Sequence, residues 1–553
     1  MSTAYDYIVV GGGLTGSVVA SRLIQHDASL KIVVIEAGGD TLDREDIMMQ
    51  DMGNSLHLIG GDLDWKILSV PQKHADGRTL VLPQGKGLGG GTTINGGGWI
   101  RGDRMDYDAW AAEVGDHRWS YDGQLPFMKK SEKHTNATVN PDQHGYEGPV
   151  VIQTPSSSGR AYPLREKVLE SWSQLGVKAL PHLDGNAGSQ LGVAEVNENR
   201  NQGRRQVAAA VYSLDGVIVM TESLVEKVIL ERQEDGSIVA AGVKLADESE
   251  LRSQQVILAA GALRTPQILM LSGIGAPEEL SNHSIQTLVE SPEVGKNLAD
   301  HTLLFTAWKL KNPDDGWAVG SKNALFTQPQ YALGLPMDFV VTTDVPKEGL
   351  AVAIEVDEGV KPDASSHALL KQARPFSESF MVYAGAPDGS AVAIGVIDLH
   401  PTTRGAITLD PSNVRGTPLV DTNYLGTEVD RYVHREMLRK VIDFAASDKT
   451  TIGRDILEGE MVPPGVEPLS VGISDAALDG RARSTVGTSY HFHGTAAMGK
   501  VVDTDLKVKG VRGLRVVDAS VIPVNLATHL QVPLYALAEQ AAAIITQERD
   551  SDS

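Results

Sequence analysis

Short apolar runs alternate with glycine-rich and charged stretches along this chain, and the clearest such pattern stands at its start. Tyr7-Ile8-Val9-Val10 is apolar throughout, as strands of a parallel sheet buried on both faces are. The segment Gly11-Gly12-Gly13-Leu14-Thr15-Gly16 follows, and Ser17 to Gln25 then carries an apolar face at helical spacing. Lys31 to Ile35 predicts a second strand, ending at Glu36. Val256-Ile257-Leu258-Ala259-Ala260, closed by Gly261, reads as a strand of the same buried kind. Residues 301–480 are less glycine-patterned, and Phe339 to Thr342, Ala391 to Ile397 and Ala406 to Leu409 read as strands there. Leu534 to Ile545 is alanine-rich and predicts a helix, with Pro533 suited to its first turn. The short polar stretch after Gln547 is expected to be a disordered tail. No internal repeat or low-complexity tract interrupts this plan.

The first of these units carries chemistry. Gly11, Gly13 and Gly16 form G-x-G-x-x-G between a strand and a helix. Such glycines serve a tight turn, close approach of backbone to a pyrophosphate, and close packing of helix on strand. The N–H groups and dipole at the start of the helix favour the diphosphate. Glu36, 20 residues beyond Gly16, stands where a carboxylate accepts ribose hydroxyls. A lone glycine motif marks no more than an ordinary βαβ turn, but here strand, glycines, helix, second strand and acid fall in order. A dinucleotide with an unphosphorylated ribose is expected, FAD or NAD rather than NADP. The unit alone does not separate the two.

Composition narrows the field further. The 553 residues are enough for two or more substantial cores, and 41% hydrophobic with 22% charged is ordinary globular usage. With 49 basic against 71 acidic residues the net charge is −22, a surface that repels phosphate backbones and anionic lipid. Nucleic acid and membrane partners are therefore not expected. There is no cysteine, which removes disulfides, thiolate metal sites, cysteine nucleophiles and a cysteinyl flavin link together. The first apolar run is too short for a signal-peptide core, and no apolar stretch is long enough to cross a bilayer. Ser551-Asp552-Ser553 is no peroxisomal address. Asn136-Ala-Thr138 and Asn282-His-Ser284 fit the glycosylation sequon, a motif common by chance. A cytoplasmic protein is expected, or a secreted one if a leader was removed before the numbering begins.

Further motifs decide the dinucleotide. Gly85-Lys86-Gly87-Leu88-Gly89-Gly90-Gly91-Thr92-Thr93-Ile94-Asn95-Gly96 is a second glycine-rich stretch, followed by Trp99, Gly102 and Asp108. Gly261-Ala262-Leu263-Arg264-Thr265-Pro266-Gln267 leads into Leu271-Ser272-Gly273-Ile274-Gly275. Both stretches closely resemble signature patterns of the glucose–methanol–choline (GMC) oxidoreductase family. Smaller echoes of that family are Asp64-Trp65, Pro71-Gln72, Asp108-Ala-Trp110, His144-Gly145 and His400-Pro401-Thr402-Thr403-Arg404-Gly405. The resemblance runs essentially end to end.

It implies a Rossmann-like α/β FAD-binding domain joined to an α+β substrate domain, built on a large antiparallel sheet flanked by helices. The FAD domain is expected to be discontinuous, over 1–155, 200–300 and 485–553, with the substrate domain over 156–199 and 301–484. The resemblance further implies FAD contacts at Gly11, Gly13, Leu14, Thr15, Gly16, Glu36 and Ala37, and in the second stretch at Gly85, Gly89, Gly90, Thr92, Asn95, Gly96 and Gly97. Val225, Ala260, Asp518, Ala519, His529, Gln531 and Val532 complete the expected set. Asp518 ends a strand-like run, and its alternative reading is a helix cap. Relatives that bind FAD covalently have a histidine where this chain has Ile94, so non-covalent FAD is expected. Gln531 stands where the family commonly has asparagine, which leaves its flavin contact open.

The catalytic segment is Tyr490-His491-Phe492-His493-Gly494-Thr495, which resembles the family's H-x-x-G-T pattern with His491 as its histidine. The spacing from Pro523 to Pro533 places His529 on the second catalytic position, held by His or Asn in the family. An alcohol with a pKa near that of water (~16) does not shed its proton unaided at neutral pH. A neutral imidazole within hydrogen-bond reach accepts that proton, worth roughly 10²–10⁴ in rate. A second imidazole orients the hydroxyl and stabilises the developing alkoxide. His491 is expected to be the base and His529 its partner, with shared or swapped roles left open. His491 and His493 at i, i+2 suggest no third metal ligand, so no metal is expected and His493 is read as structural. The expected activity is FAD-dependent oxidation of a small-molecule alcohol, with oxygen or another acceptor taking the electrons. The alternative is a non-redox lyase or cyclase of the same family, retaining FAD structurally and using the histidines for proton transfer.

Overall fold

Tyr5–Val10 forms strand β1, Leu14–His26 helix α1 and Ile32–Ile35 strand β2, in a computed structural model that describes residues 5–48, 57–136 and 139–552. Met1 to Ala4, the last two residues of the Asn136 sequon and Ser553 lie outside the described residues. β1 and β2 pair in parallel, Tyr7 opposite Ile32 and Val10 opposite Ile35. The sheet runs in the order Ile218–Met220, β2, β1, Glu250–Leu258, Ile238–Leu245, Val225–Arg232, with Leu514–Val516 added in parallel to Glu250–Leu258. The buried strand expected at Val256 is thus the end of a longer one, and it returns beside β1 with Val256 opposite Ile8. Gly16 shows why a glycine is needed where α1 leaves β1. A Cβ there would collide with the carbonyl oxygen of Gly11, so no larger residue lets α1 lie this close.

The second sheet runs in the order Leu457–Glu460, Thr302–Leu310, Ala391–Asp398, Ser377–Val382, Phe339–Thr343, Gly192–Glu195, and its pairs are antiparallel. Its pleat sorts side chains by parity. Leu304, Trp308, Val341, Val392, Ile394 and Val396 point into a core under the helix Glu428–Ala445. Leu303, Phe305, Val340, Glu378, Phe380 and Ile397 point the other way, toward the first sheet. Gly395 leaves room on that face, since a Cβ there would collide with the Phe380 ring. The two-sheet architecture is that of the expected fold class.

One local expectation needs correction. The polar end of the chain is not a disordered tail: the C-terminal helix runs from Gln531 to Asp552, through the stretch after Gln547. Glu548 receives Lys507 and Arg515, and Arg549 reaches Asp27, so its charges have partners within the fold. Ala406–Thr408 is a strand, as expected, and lies outside the large sheet, pairing with Leu419–Asp421. No helix among the described residues is long and apolar enough to cross a membrane.

Candidate active site

Between the two sheets lies a cavity of about 790 Å³. Its first half is lined by the glycine turn after β1, the end of β2 and the second glycine-rich stretch. Gly11, Gly13, Leu14, Thr15, Glu36, Ala37, Gly85, Gly90, Thr92, Asn95, Gly96, Gly97, Val225, Ala260, Asp518 and Ala519 all border it, and at the other end so do His491, His529 and Gln531. Gly16, Gly89 and Val532 do not reach its wall. Gly16 is spent on packing, as above. Gly89 has a left-handed φ of 103° and donates its N–H to Gly12 O at 2.7 Å, tying the two glycine stretches together. Val532 is fully buried in the core beneath.

The walls fit a dinucleotide. Helix α1 begins after Gly13 with no side chain capping its first turn, which leaves its N–H groups for a ligand. A methyl added to Gly13 would meet no protein atom closer than Gly90 Cα at 3.7 Å, so the absence of a side chain serves the cavity rather than the polypeptide. Glu36 accepts from the N–H of Gly12 at 2.9 Å, Gly38 at 2.8 Å and Gly87 at 3.1 Å, and still borders the cavity. A carboxylate has about four acceptor sites, so one remains for a hydroxyl. Asp518 is a cap that also borders the cavity. It caps the turn Ala519–Val521 through Ser520 N at 2.8 Å, takes Gly261 N at 2.9 Å and Thr265 Oγ1 at 2.6 Å, and lines the cavity.

At the far end the catalytic candidates meet. The rings of His491 and His529 lie 5.0 Å apart between centroids. His491 is held at both its backbone and its ring. Its N–H donates to Asp300 Oδ1 at 2.7 Å, and its Nδ1 faces Nδ1 of His301 at 3.0 Å. Burial, with the neighbouring His529, His301 and His493, pushes the His491 imidazole well below the ordinary histidine range. That favours the neutral ring. His529 is only partly exposed, and its desolvation by itself lowers its pKa, but the Glu378 carboxylate outweighs that and raises it. Its Nε2 lies 2.8 Å from Glu378 Oε1. Gly98 makes room for this ring: a Cβ there would stand 3.0 Å from His529 Nδ1.

Gln531 opens the C-terminal helix with both ends of its amide engaged, accepting from Asn199 Nδ2 at 3.0 Å and donating to Gly98 O. The helix start, and with it a positive dipole end, borders the cavity through Gln531 and Leu534. His493 donates from Nδ1 to His491 O at 2.9 Å, is held near a pKa of about 4 by burial, and does not border the cavity. Among the described residues no cluster of three His, Cys, Asp or Glu side chains is arranged to hold a metal. Sequence reasoning missed Glu378 and the pair Asp300-His301. The available signal was a lone carboxylate at the start of a strand, between Ser377 and Ser379, and a polar Asp-His pair just ahead of another.

Comparison with known proteins agrees with this geometry. Family models described as GMC oxidoreductase match residues 5–303 and 401–538. The chain belongs to the GMC oxidoreductase family. It is 35% identical over 556 residues to the GMC-type oxidoreductase acuG of Aspergillus aculeatus, covering 99% of each chain. It is 31% identical to a protein of Pseudomonas putida named alcohol dehydrogenase [acceptor], covering 99% of this chain and 97% of that one. A solved fungal aryl-alcohol oxidase superposes with a TM-score of 0.81 at 26% identity, covering 99% and 100%. The dinucleotide of this GMC oxidoreductase is FAD.

Proposed function

We propose that this chain oxidises the CH–OH group of an alcohol with an apolar body, His491 taking the hydroxyl proton and His529 holding the oxygen. The observation that carries the reading is the pairing of one neutral and one carboxylate-supported imidazole at the end of the cavity. His491 Nδ1 is turned to His301, which leaves Nε2 for the cavity. A neutral nitrogen there accepts the proton as the carbon gives up hydride. His529, supported by Glu378, donates a hydrogen bond to the oxygen as negative charge develops. FAD, when bound, supplies the hydride acceptor at N5. Ile94 in place of a histidine supports a non-covalent cofactor.

The body of the substrate is read from the sheet side of the cavity. Leu303, Phe305, Val340, Phe380 and Ile397 line it, and the one charged group there, Glu378, is committed to His529. Each polyol hydroxyl left without a partner on such a wall costs about 1–3 kcal/mol, while apolar area gains about 25 cal/mol per Å². A benzylic or aliphatic alcohol is therefore favoured over a sugar. The names of the Pseudomonas putida relative and the fungal aryl-alcohol oxidase agree with this class.

The test is anaerobic mixing of holoenzyme with benzyl alcohol, 1-hexanol, D-glucose and choline, following loss of oxidised flavin absorbance. The first two are expected to reduce it and the last two to lag by about 10²-fold or more. His491→Ala is expected to keep FAD and lose about 10²–10⁴ of the rate. Wild-type rates in that variant would remove His491 from the chemistry. A redox-neutral product formed with the flavin still oxidised would instead favour the lyase alternative.

A further inference from the structure

We propose that His301 is a positioning residue that accepts a hydrogen bond from Nδ1–H of His491 and so fixes the tautomer in which His491 Nε2 is free to take a proton. The inference rests on the proposed role of His491 but concerns a residue outside it.

The two rings meet edge to face, 83° apart with centroids 5.1 Å apart, and present Nδ1 to Nδ1 at 3.0 Å. At that separation one nitrogen must carry a proton and the other a lone pair. Burial holds both rings well below the ordinary histidine range, so the pair is neutral and shares one bridging proton. Two arrangements are possible. If His301 donates, the proton of His491 sits on Nε2, and the nitrogen facing the cavity can only donate. If His491 donates, its Nε2 carries a lone pair toward the cavity, and the proton of His301 sits on Nε2.

The proposed role of His491 chooses between them. His301 is fully buried and its Nε2 has no hydrogen-bond partner, so what its ring engages is the bridge to His491. Only the arrangement in which His491 donates leaves a lone pair on the nitrogen turned to the cavity, where a base has to accept the alcohol proton. Nδ1 of His301 then accepts from His491, and the proton of His301 sits on Nε2.

The residue before His301 tightens the same hold. Asp300 takes the His491 backbone N–H on Oδ1 and the hydroxyls of Thr488, at 2.6 Å, and Tyr424 on Oδ2. One dipeptide at the entry to Thr302–Leu310 thus grips His491 at its backbone and its ring. His493, another imidazole near His301 with centroids 6.2 Å apart, has its Nδ1 on His491 O and does not compete for the bridge.

The direct test is ¹⁵N NMR of oxidised holoenzyme labelled with ¹⁵N-histidine, with His491 assigned by its loss in His491→Ala. Nδ1 of His491 is expected to resonate as protonated and Nε2 as bare; the reverse pattern overturns the proposal. Two variants give a kinetic reading. His301→Leu removes the acceptor, while His301→Asn keeps an amide oxygen near the position of Nδ1. His301→Leu is expected to retain FAD and the half-saturating alcohol concentration, and to lower the limiting rate of flavin reduction by about 10²-fold or more. His301→Asn is expected to recover most of that loss. A wild-type limiting rate in His301→Leu, or equal losses in both variants, overturns it. Absence of any alcohol-driven reduction in the wild type would sink the proposed function, and the NMR pattern would still decide this point.

Discussion

At the scale of single residues, the two imidazoles of the site share a ring type and are both largely desolvated, but their pKa values are shifted in opposite directions. Burial disfavours the cation on both. The histidines around it push His491 further down, whereas Glu378 reverses the balance on His529. The base form of His491 therefore persists on acidification to well below pH 6.5. The cation of His529 persists above pH 6.5 and is lost as pH rises through its raised pKa. The rate of flavin reduction against pH is expected to show a broad plateau between those limbs. Glu378→Gln removes the supporting charge, so the alkaline limb should move down by about one unit or more. With less positive charge beside it, His491 should regain part of its basicity and the acid limb should move up. Stopped-flow reduction across pH 5 to 9 reads both limbs. An alkaline limb that stays in place would mean that Glu378 does not set the state of His529.

At the scale of elements, the glycines of the first βαβ unit divide between ligand and fold. Gly13 opens onto the cavity with its nearest protein atom at 3.7 Å, whereas Gly16 is packed against the Gly11 carbonyl. Gly13→Ala is therefore expected to give a folded protein, unchanged in far-UV circular dichroism, that releases FAD on gel filtration. Gly16→Ala is expected to lose roughly 2–3 kcal/mol of stability as α1 is pushed off β1. Full flavin retention by Gly13→Ala would undercut the cradle. The same division explains what was legible in the sequence. The unit from β1 to Glu36 is read correctly because its signals are local: an apolar run, fixed glycine offsets, a helical face and an acid. His491 and His529 were found through motif spacing in one region of chain. Glu378 and His301 were not, because each meets its histidine only through the register of the antiparallel sheet. His301 lies 190 positions from His491, and Glu378 lies 151 from His529. Ser377–Val382 has to pair with Ala391–Asp398 and Phe339–Thr343 in register before Glu378 faces the cavity at all.

At the scale of the whole molecule, the C-terminal helix joins the active site to the far edge of the first sheet. Its 22 residues span about 33 Å. Its first turn borders the cavity, and its middle carries Glu539, fully buried yet joined to Arg22 at 2.7 Å, Lys130 at 2.9 Å and the Tyr212 hydroxyl at 2.9 Å. The last turn reads from sequence as a disordered tail because its residues are polar, but polarity here means partners. Glu548 neutralises Arg515, a guanidinium only 4% exposed, which otherwise keeps Gln255 Oε1 at 3.2 Å and the Asp505 carbonyl. Removing the residues after Gln547 strips the carboxylate from a nearly buried cation and releases Asp27 from Arg549. A half-exposed pair contributes little, but the buried guanidinium left behind raises the loss to about 1–3 kcal/mol. The truncated protein is expected to keep FAD and its reduction rate, since nothing at the cavity changes, and to melt a few degrees earlier by flavin fluorescence. Glu548→Ala alone should reproduce most of the shift. If the truncated chain melts with the full one, the last turn contributes nothing and its charge pairs are incidental to the fold.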